Sequence, residues 1–360
     1  MPREPIGSHP APLWCRPKSA IRTRTAPMLQ PGPLNLITDV EGIRVGNAED
    51  ARVRTGVTVV LPDGPCLAAV DVRGGAPGTR ETDALDPTCL VDRVDAVVLS
   101  GGSAFGLEAG SAVVNWLAAQ GRGFAVGSAV VPIVPAAILF DLLNGGAKDW
   151  GQHPPYAALG RAAALAAGPR LALGNAGAGY GAKAGALKGG LGSASALAAD
   201  GLQVGALAAV NAHGSTVMPG SSCFWAWALA RESEVGAQAP PAHALRLDEP
   251  EPPPAFPGGH TTIAVIATNA ALDKTEAKRI AIMAQDGLSR AIRPSHTPFD
   301  GDTVFVLATG RWGLPEPRAA ALLRIGAAAA DCTAHAIMRG VYEAETLGDL
   351  VSYREFFGVR

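Results

Sequence analysis

The sequence predicts a layered α+β fold, and three observations support this class. Strand-like and helix-like segments follow each other in blocks, without the strict alternation of strand and helix that builds a parallel α/β sheet. Of the 360 residues, 48% are hydrophobic and 17% are charged, so the chain can bury a large core. The 44 glycines follow no G-x-y period, which indicates tight turns and close backbone packing rather than a collagen-like rod.

The first 34 residues are expected to form a disordered leader, because the segment from Pro2 to Pro27 is polar, proline-rich and basic. This segment lacks the apolar core of a secretory signal peptide, and Met28 is an alternative start because patterned sequence begins just after it. No apolar run in the chain reaches the roughly 18 residues that cross a bilayer. A cytoplasmic location is therefore the default expectation.

Short β-branched runs bounded by turn residues predict the strands of the first half of the chain. These runs cover residues 42–46, 56–61, 66–72, 94–99 and 124–134. A helix is predicted over residues 106–121, because Leu107, Val114 and Leu117 recur on one face at helical spacing. Shorter helices are predicted over residues 135–143 and 162–167.

The second half begins with a glycine-rich stretch at residues 174–192, after which the pattern is clearer. Strands are predicted at residues 205–210, 261–268 and 303–308. Asp273 and Glu276 have the spacing of a capping box, which predicts that a helix begins there and continues to residue 291. An alanine-rich segment predicts a long helix over residues 318–342.

The sharpest change of composition lies at residues 235–260, which contain seven prolines and predict an exposed linker. A strand that opens with a hydroxyl residue, Thr261, follows at once. This layout suits self-cleavage between His260 and Thr261, since the cut would free an α-amine with an ordinary pKa of about 7.7–8.0. Such an amine can act as the base for its own hydroxyl. From the residues alone, Thr261 and Thr262 are more typical of an ordinary β-branched strand start.

A second signal is the run Asp300-Gly301-Asp302, in which two carboxylates flank a turn that leads into a strand. Such a run is most often only a turn. Two carboxylates can also hold a protonated amine and orient a nucleophile, because each ionised oxygen accepts hydrogen bonds.

Other motifs are weaker. Ser103 lies in Gly-Ser-Ala-Phe-Gly, where Phe105 breaks the G-x-S-x-G spacing of a serine hydrolase. Residues 177–182 fit a relaxed dinucleotide fingerprint, but residues 183–192 are too glycine-rich for the helix that should follow. The seven histidines show no metal-binding spacing, so no metal or cofactor is expected. A net charge of −2 gives no reason to expect nucleic acid, and neither a membrane nor a nucleic-acid partner is predicted.

Five stretches, in this order, resemble the family of L-aminopeptidase/D-esterases, β-peptidyl aminopeptidases and nylon-oligomer hydrolases. They are residues 71–83 (DVRGGAPGTRETD), 99–107 (LSGGSAFGL), 188–195 (KGGLGSAS), 261–263 (TTI) and 296–303 (HTPFDGDT). The resemblance runs from about Asn35 to Tyr353, which is nearly the whole chain beyond the leader.

The resemblance implies an αββα sandwich similar to that of N-terminal nucleophile hydrolases. It implies one domain, split by self-cleavage into an α chain (35–260) and a β chain (261–360). It identifies Thr261 as the nucleophile and Asn211 as the donor to the oxyanion. Asp300 and Asp302 correspond to the pair that orients the nucleophile and its amine.

Two further assignments rest on the same resemblance. Lys183 is the expected active-site lysine, with Lys188 as its rival because the glycine-rich stretch can be aligned in two ways. Phe140 is the expected substrate contact, at a position where several members have a tyrosine, so one hydrogen-bond donor is missing.

The resemblance implies an amide hydrolase acting on small peptides, amino-acid amides or related oligoamides. We expect a homo-oligomer, a tetramer or larger, of αβ heterodimers. One alternative is an acyltransferase that passes the same acyl group to an amine such as ornithine. Another is a binding protein with a vestigial site, which the presence of all four assigned residues makes less favourable.

Overall fold

Two β-sheets stack face to face between two helical layers. The structure is a computed structural model that describes residues 29–242 and 259–359. The four layers confirm the predicted αββα sandwich, and their order is α1 and α2, a five-stranded sheet, a six-stranded sheet, then α4 and α5.

The five-stranded sheet has the strand order β1-β2-β6-β9-β4, in which β6 and β9 are parallel and the other neighbours antiparallel. Its strands are β1 (Ile43–Asp50), β2 (Thr55–Pro62), β4 (Thr79–Arg80), β6 (Val97–Ser100) and β9 (Ala136–Ile138). Helices α1 (Glu108–Ala118) and α2 (Tyr156–Leu165) cover its outer face.

The six-stranded sheet has the strand order β12-β13-β14-β15-β3-β5, with one parallel pair, β14 and β15. Its strands are β3 (Cys66–Val72), β5 (Arg93–Val94), β12 (Gly190–Leu197), β13 (Gln203–Asn211), β14 (Thr261–Ala270) and β15 (Thr303–Trp312). Helices α4 (Lys274–Ala291) and α5 (Arg318–Tyr342) cover its outer face. Both helices have the predicted bounds, and the Asp273–Glu276 capping box is formed.

Two small hairpins and two short helices complete the described part of the chain. The hairpins are β7 (Phe124–Val126) with β8 (Ala129–Val131), and β10 (Lys183–Ala184) with β11 (Leu187–Lys188). The helices are α3 (Glu232–Val235) and α6 (Tyr353–Phe357).

Residues along β14 alternate between the two faces of its sheet, as strand geometry requires. Ile263 and Val265 pack between the two sheets, whereas Ala264 and Ile266 pack against the helices. All ten residues of β14 are buried, so both faces of the strand are covered, although Thr261, Thr262, Thr268 and Asn269 are polar. Thr261 lies two residues before Ile263, so both side chains are on the same face of β14. This face is directed at the other sheet.

Two predicted elements are wrong. The helix over residues 135–143 is instead the strand β9, whose buried backbone pairs with β6 and β4. Its alanine and leucine residues favour a helix locally, but the sheet supplies its backbone hydrogen-bond partners. The single strand over residues 94–99 is two strands, interrupted where the Asp95 carboxylate accepts a hydrogen bond from the Ile133 amide.

The predicted leader and linker lie mostly outside the described residues, at 1–28 and 243–258. Where the structure describes them, both boundaries shift. Gln30 pairs with Leu197, so regular contacts begin before residue 34. Val235 is buried within α3, so the packed chain continues beyond the predicted start of the linker.

Candidate active site

Thr261 and Asn211 lie directly opposite each other at the ends of two antiparallel strands. Their Cα atoms are paired in the register of β14 and β13. Opposite residues of an antiparallel pair place their side chains on the same face of the sheet. Both residues are 2% exposed, so the register brings two residues distant in sequence together in a buried corner between the sheets.

The Thr261 hydroxyl donates a hydrogen bond to the carbonyl oxygen of His260, the residue just before it. The backbone amide of Gly301 lies 3.1 Å from the Thr261 hydroxyl oxygen and 3.1 Å from the same His260 oxygen. One N–H group therefore contacts both the hydroxyl and the carbonyl of the peptide bond between residues 260 and 261. This arrangement suits attack on that carbonyl, because an N–H donor stabilises negative charge that develops on its oxygen.

The Asn211 side chain contacts the backbone just before this junction and the backbone of Phe140. Its Nδ2 donates to the Gly259 carbonyl at 3.3 Å and to the Phe140 carbonyl at 3.1 Å. Its Oδ1 accepts a hydrogen bond of 2.9 Å from the Lys183 amide. The last bond fixes the orientation of the side-chain amide, so that its N–H groups face the segment before Thr261.

The two carboxylates of the Asp300-Gly301-Asp302 turn are buried and bound by backbone donors. Asp302 accepts from the amides of Thr262 (2.8 Å) and His296 (3.0 Å), and it pairs with the His296 ring at 2.9 Å. Asp300 accepts from the amides of His213 and Thr297 and from the Thr297 hydroxyl. Within the described chain, neither carboxylate bonds the Thr261 hydroxyl.

Burial changes the ionisation of two groups at the junction. Desolvation, with a smaller contribution from the charge of Asp302, raises the pKa of Asp300. Desolvation is also the main reason that the pKa of His260 falls to about 4, and the charges of His213 and Lys183 lower it further. At neutral pH the His260 ring is therefore uncharged.

The turn is held from the other side by the arginine-glycine-glycine run that follows β3. The amide of Arg73 donates to the Asp302 carbonyl at 3.0 Å, and the amide of Ala76 donates to the Asp300 carbonyl at 2.8 Å. A Cβ atom at Gly74 would lie 2.3 Å from both the Asp300 oxygen and the Asp302 nitrogen. Only glycine allows this close backbone approach.

The structure separates the two candidate lysines. Lys183 has an exposed side chain, its amide holds Asn211, and its charge acts on His260. Lys188 is fully buried, and its Nζ donates to the carbonyls of Gly179 (3.1 Å) and Gly189 (2.7 Å). The geometry thus places Lys183, and not Lys188, beside the junction.

Phe140 contributes its backbone carbonyl to Asn211. The predicted contact between its side chain and a substrate stays a prediction. No group of three or more His, Cys, Asp or Glu side chains suited to a metal ion occurs in residues 29–242 and 259–359. Over the same residues, no helix combines the length and hydropathy needed to cross a membrane.

Three contributors lie outside the residues that the resemblance assigned to the site, namely the Gly301 amide, the His213 ring and His296. The Gly301 amide carries no side-chain signal, because any residue type has a backbone N–H. The rings of His213 and His260 lie 5.1 Å apart between centroids, and His296 pairs with Asp302. His296 lies inside the stretch 296–303, so the sequence offered a signal for it. His213 follows β13, and only the register of that strand shows that this histidine lies near Thr261.

The competing motifs take no part in this junction. Gly177–Gly179 form a short 3₁₀ turn, and the strands β10 and β11 follow where a dinucleotide fold requires a helix. Ser103 begins another short 3₁₀ turn before α1, with a backbone φ of 52°.

The chain belongs to peptidase family S58. The sequence model of that family matches residues 35–351. It is 48% identical over 344 residues to an uncharacterized aminopeptidase of Mycobacterium bovis, covering 90% of this chain and 98% of the relative. It is 30% identical over 304 residues to a 6-aminohexanoate-oligomer endohydrolase of an Agromyces species, covering 81% and 79%. The family assignment makes the protein a hydrolase of the peptidase class.

Two solved structures share the fold. A β-aminopeptidase of a Burkholderia species superposes with a TM-score of 0.66 at 25% identity, over 91% of this chain and 92% of that one. The L-aminopeptidase D-Ala-esterase/amidase of Ochrobactrum anthropi, described as a variant of the Ntn hydrolase fold, gives 0.65 at 21% identity, over 92% and 94%. The αββα architecture is therefore similar to the variant of the Ntn hydrolase fold described for the Ochrobactrum anthropi enzyme.

Proposed function

We propose that this S58 peptidase cleaves its own chain between His260 and Thr261 and then hydrolyses small amides with Thr261 as an N-terminal nucleophile. The observation that carries the proposal is the contact of the Thr261 hydroxyl with the His260 carbonyl, with the Gly301 amide bound to both oxygens. A nucleophile and a polarised electrophile are thus adjacent in the uncut chain.

Self-cleavage then proceeds as an acyl shift from nitrogen to oxygen. The Thr261 oxygen bonds the His260 carbonyl carbon, the carbon–nitrogen bond breaks, and the hydroxyl proton passes to the leaving nitrogen. Water hydrolyses the resulting ester. The products are an α chain that ends in a carboxylate at His260 and a β chain that begins with the free amine of Thr261.

In the mature enzyme, that amine is the base for the Thr261 hydroxyl. The hydroxyl attacks the substrate carbonyl, the substrate amine leaves with a proton, and water releases the acid from the ester. Asn211 Nδ2, which the uncut chain aims at the Gly259 and Phe140 carbonyls, supplies a second N–H donor for the oxyanion.

The contacts refine the part assigned to the carboxylates. Asp302 binds the Thr262 amide and Asp300 binds the His213 amide, so in the uncut chain each holds backbone next to the reacting groups. We propose that, before cleavage, the two carboxylates set the direction of β14 and of the Gly301 amide. They contact the Thr261 amine only after cleavage releases it. Lys183, beside His260, favours the neutral form of that amine.

Substrates are proposed to be small peptides, amino-acid amides or related oligoamides. The named relatives support this class, because they are aminopeptidases and an oligoamide hydrolase. They do not support the acyltransferase alternative. A homo-oligomer of αβ heterodimers, tetrameric or larger, and a cytoplasmic location stay predictions.

Intact mass and N-terminal sequencing of purified protein test the proposal. We expect two chains, the smaller beginning at Thr261, and hydrolysis of an amino-acid anilide. Thr261→Ala should give one uncut 36.6 kDa chain without activity, because the attacking hydroxyl is gone. A wild-type chain that stays uncut, or a small chain with another first residue, contradicts self-cleavage at this bond.

A further inference from the structure

In the uncut chain, the side chain just before the scissile bond already lies in a defined place. The His260 ring packs against the His213 ring, with centroids 5.1 Å apart and planes inclined by 60°. The His213 ring also contacts Phe299, with centroids 5.9 Å apart. Three rings from three segments of the chain therefore form one cluster of tilted rings beside the junction.

The uncut chain is a substrate bound in its own active site. Attack by Thr261 requires the reacting carbonyl to lie where the His260 carbonyl lies, in contact with the Gly301 amide. A substrate carbonyl that meets the same hydroxyl and the same donor then directs its acyl side chain toward the place of the His260 ring. Cleavage leaves the α chain ending at residue 260, and the ring vacates this place when that end moves away.

We infer that His213 and Phe299 line the subsite for the acyl-side residue of the substrate, and that this subsite selects flat, uncharged side chains such as phenyl or imidazole rings. The inference rests on the proposed function and names its substrate class. His213 and Phe299 are not among the assigned catalytic residues, and both contribute to the subsite through their rings.

One nitrogen of the His260 ring has no partner among the described residues in this place, although the Ala212 backbone favours the protonated ring. Nδ1 of His260 is buried and has no hydrogen-bond partner in the described chain. A phenyl ring in the same place would therefore lose no hydrogen bond at that position and would remove an unpaired buried atom. Aromatic pairs at these separations also attract each other beyond the area they bury.

The charges of the subsite disfavour a cation. Burial is the main reason that the pKa of His260 is lowered, and the charge of Lys183 lowers it further. Burial and the Lys183 charge likewise oppose an ammonium or guanidinium group at the end of a substrate side chain. We therefore expect substrates with lysine or arginine on the acyl side to react poorly.

The first test uses the mature enzyme and the p-nitroanilides of phenylalanine, alanine and lysine. We expect kcat/KM for phenylalanine to exceed that for alanine by roughly tenfold, the scale of one aromatic contact, and lysine to be the poorest. His213→Ala and Phe299→Ala should each lower the phenylalanine-to-alanine ratio. His213→Ala keeps the backbone amide that binds Asp300. Phe124→Ala, at an exposed phenylalanine of the β7–β8 hairpin, is the matched control and should keep the ratio.

The second test uses self-cleavage, which needs no external substrate. In a cell-free translation time course, His260→Phe should cleave at a rate close to wild type, and His260→Lys roughly tenfold or more slowly. His213→Ala should slow the His260→Phe chain more than a His260→Ala chain. Only the His260→Phe chain has a ring at residue 260 that can contact the His213 ring.

The outcomes of these tests distinguish a failure of the proposed amide hydrolysis from a failure of the proposed subsite. Complete self-cleavage without hydrolysis of any anilide contradicts the proposed amide hydrolysis, and the cleavage rates still decide the subsite. Equal kcat/KM values for phenylalanine and alanine, or His260→Phe and His260→Lys chains that cleave equally fast, overturn the subsite while the proposed function stands.

Discussion

The turn around Gly301 and the interior around Lys188 both bury ionisable side chains, but they satisfy these side chains differently. In the turn, Asp302 accepts from N–H groups of Thr262 and His296. In the interior, Lys188 donates to two backbone carbonyls. Asp141 accepts from the Gly102 amide and the Thr55 hydroxyl there.

Perturbed pKa values do not distinguish these regions. Burial raises the pKa of Asp300 in the turn, and burial also raises that of Asp141 and lowers that of Lys188 to about 7 in the interior. The two regions differ in whether a peptide bond lies next to a nucleophile. In the turn, the Thr261 hydroxyl lies against the His260 carbonyl, which also contacts the Gly301 amide. Burial therefore indicates a candidate, and the geometry around a reactive bond decides its chemistry.

The largest expected difference between the regions comes from alanine at two glycines. At Gly301, a Cβ atom would lie 2.7 Å from the Thr261 hydroxyl oxygen and 2.9 Å from the Ala76 carbonyl, so Gly301→Ala must displace the amide donor. We expect self-cleavage to slow by roughly 100-fold or more, the usual cost of losing one such donor. A gel time course of the translated chain measures this rate.

The matched change in the interior is Gly181→Ala, whose Cβ would lie 2.1 Å from the Arg54 carbonyl. It should lower stability, yet the molecules that fold should still cleave. Normal cleavage in Gly301→Ala would remove the Gly301 amide from the mechanism.

The second prediction compares two isosteric changes from aspartate to asparagine. Asp302→Asn presents an NH₂ group to fixed N–H donors, so at least one hydrogen bond to a charged acceptor is lost. We expect self-cleavage and turnover to fall roughly 10- to 100-fold, with the fold retained by circular dichroism.

In the interior, Asp141→Asn can keep both contacts, because the Thr55 hydroxyl can accept as well as donate. The cost in unfolding free energy should stay below about 1 kcal/mol, and cleavage should be normal. If Asp302→Asn turns over like wild type once matured, Asp302 is only a turn residue.

The third prediction is the pH dependence of the mature enzyme. If the Thr261 amine is the base, kcat/KM for a small amino-acid anilide rises as that amine deprotonates, through an apparent pKa of roughly 6 to 8. Chelators should leave this curve unchanged. His213→Ala and His296→Asn are the controls, since a histidine base would give a similar rise. Loss of the rise in either variant, with self-cleavage complete, would identify that histidine as the base instead.

The smallest effect on self-cleavage and turnover is expected for Lys188, whose replacement should change stability alone. Its pKa is about 7 in the folded chain, below the value of 10.5 for a free lysine. Between these values the unfolded chain binds more protons, so stability rises with pH and is lost as the pH falls toward 7. Lys188→Met should flatten this rise, which amounts to at most about 1.4 kcal/mol per pH unit.

Urea unfolding at pH 7 and pH 9 measures the slope. The Thr261→Ala background keeps one uncut chain, so that unfolding and refolding involve a single molecule. An unchanged slope would show that Lys188 is charged in the fold. A loss of self-cleavage in Lys188→Met with Thr261 present would make this lysine part of the site.

Much of the fold could be predicted because its signals are local. The Asp273–Glu276 capping box and the alanine-rich run each mark a helix whose observed bounds agree with the prediction. The β-branched run after His260 marks β14. The segment at 135–143 could not be assigned locally, because its residues suit a helix and only pairing with β6 and β4 makes it a strand.

The sequence by itself supplied the candidates for the chemistry: Thr261, Asp300 and Asp302 lie in the stretches that carry the resemblance, and the resemblance in turn implies Asn211. The tertiary structure decided what each one touches. The register of β13 against β14 brings Asn211 to Thr261, and the close approach at Gly74 holds the turn that aims the Gly301 amide. It also places Lys183 at the junction and Lys188 in the interior. These contacts join segments far apart in the chain, and a backbone N–H has the same chemistry in every residue, so no local pattern can report its direction.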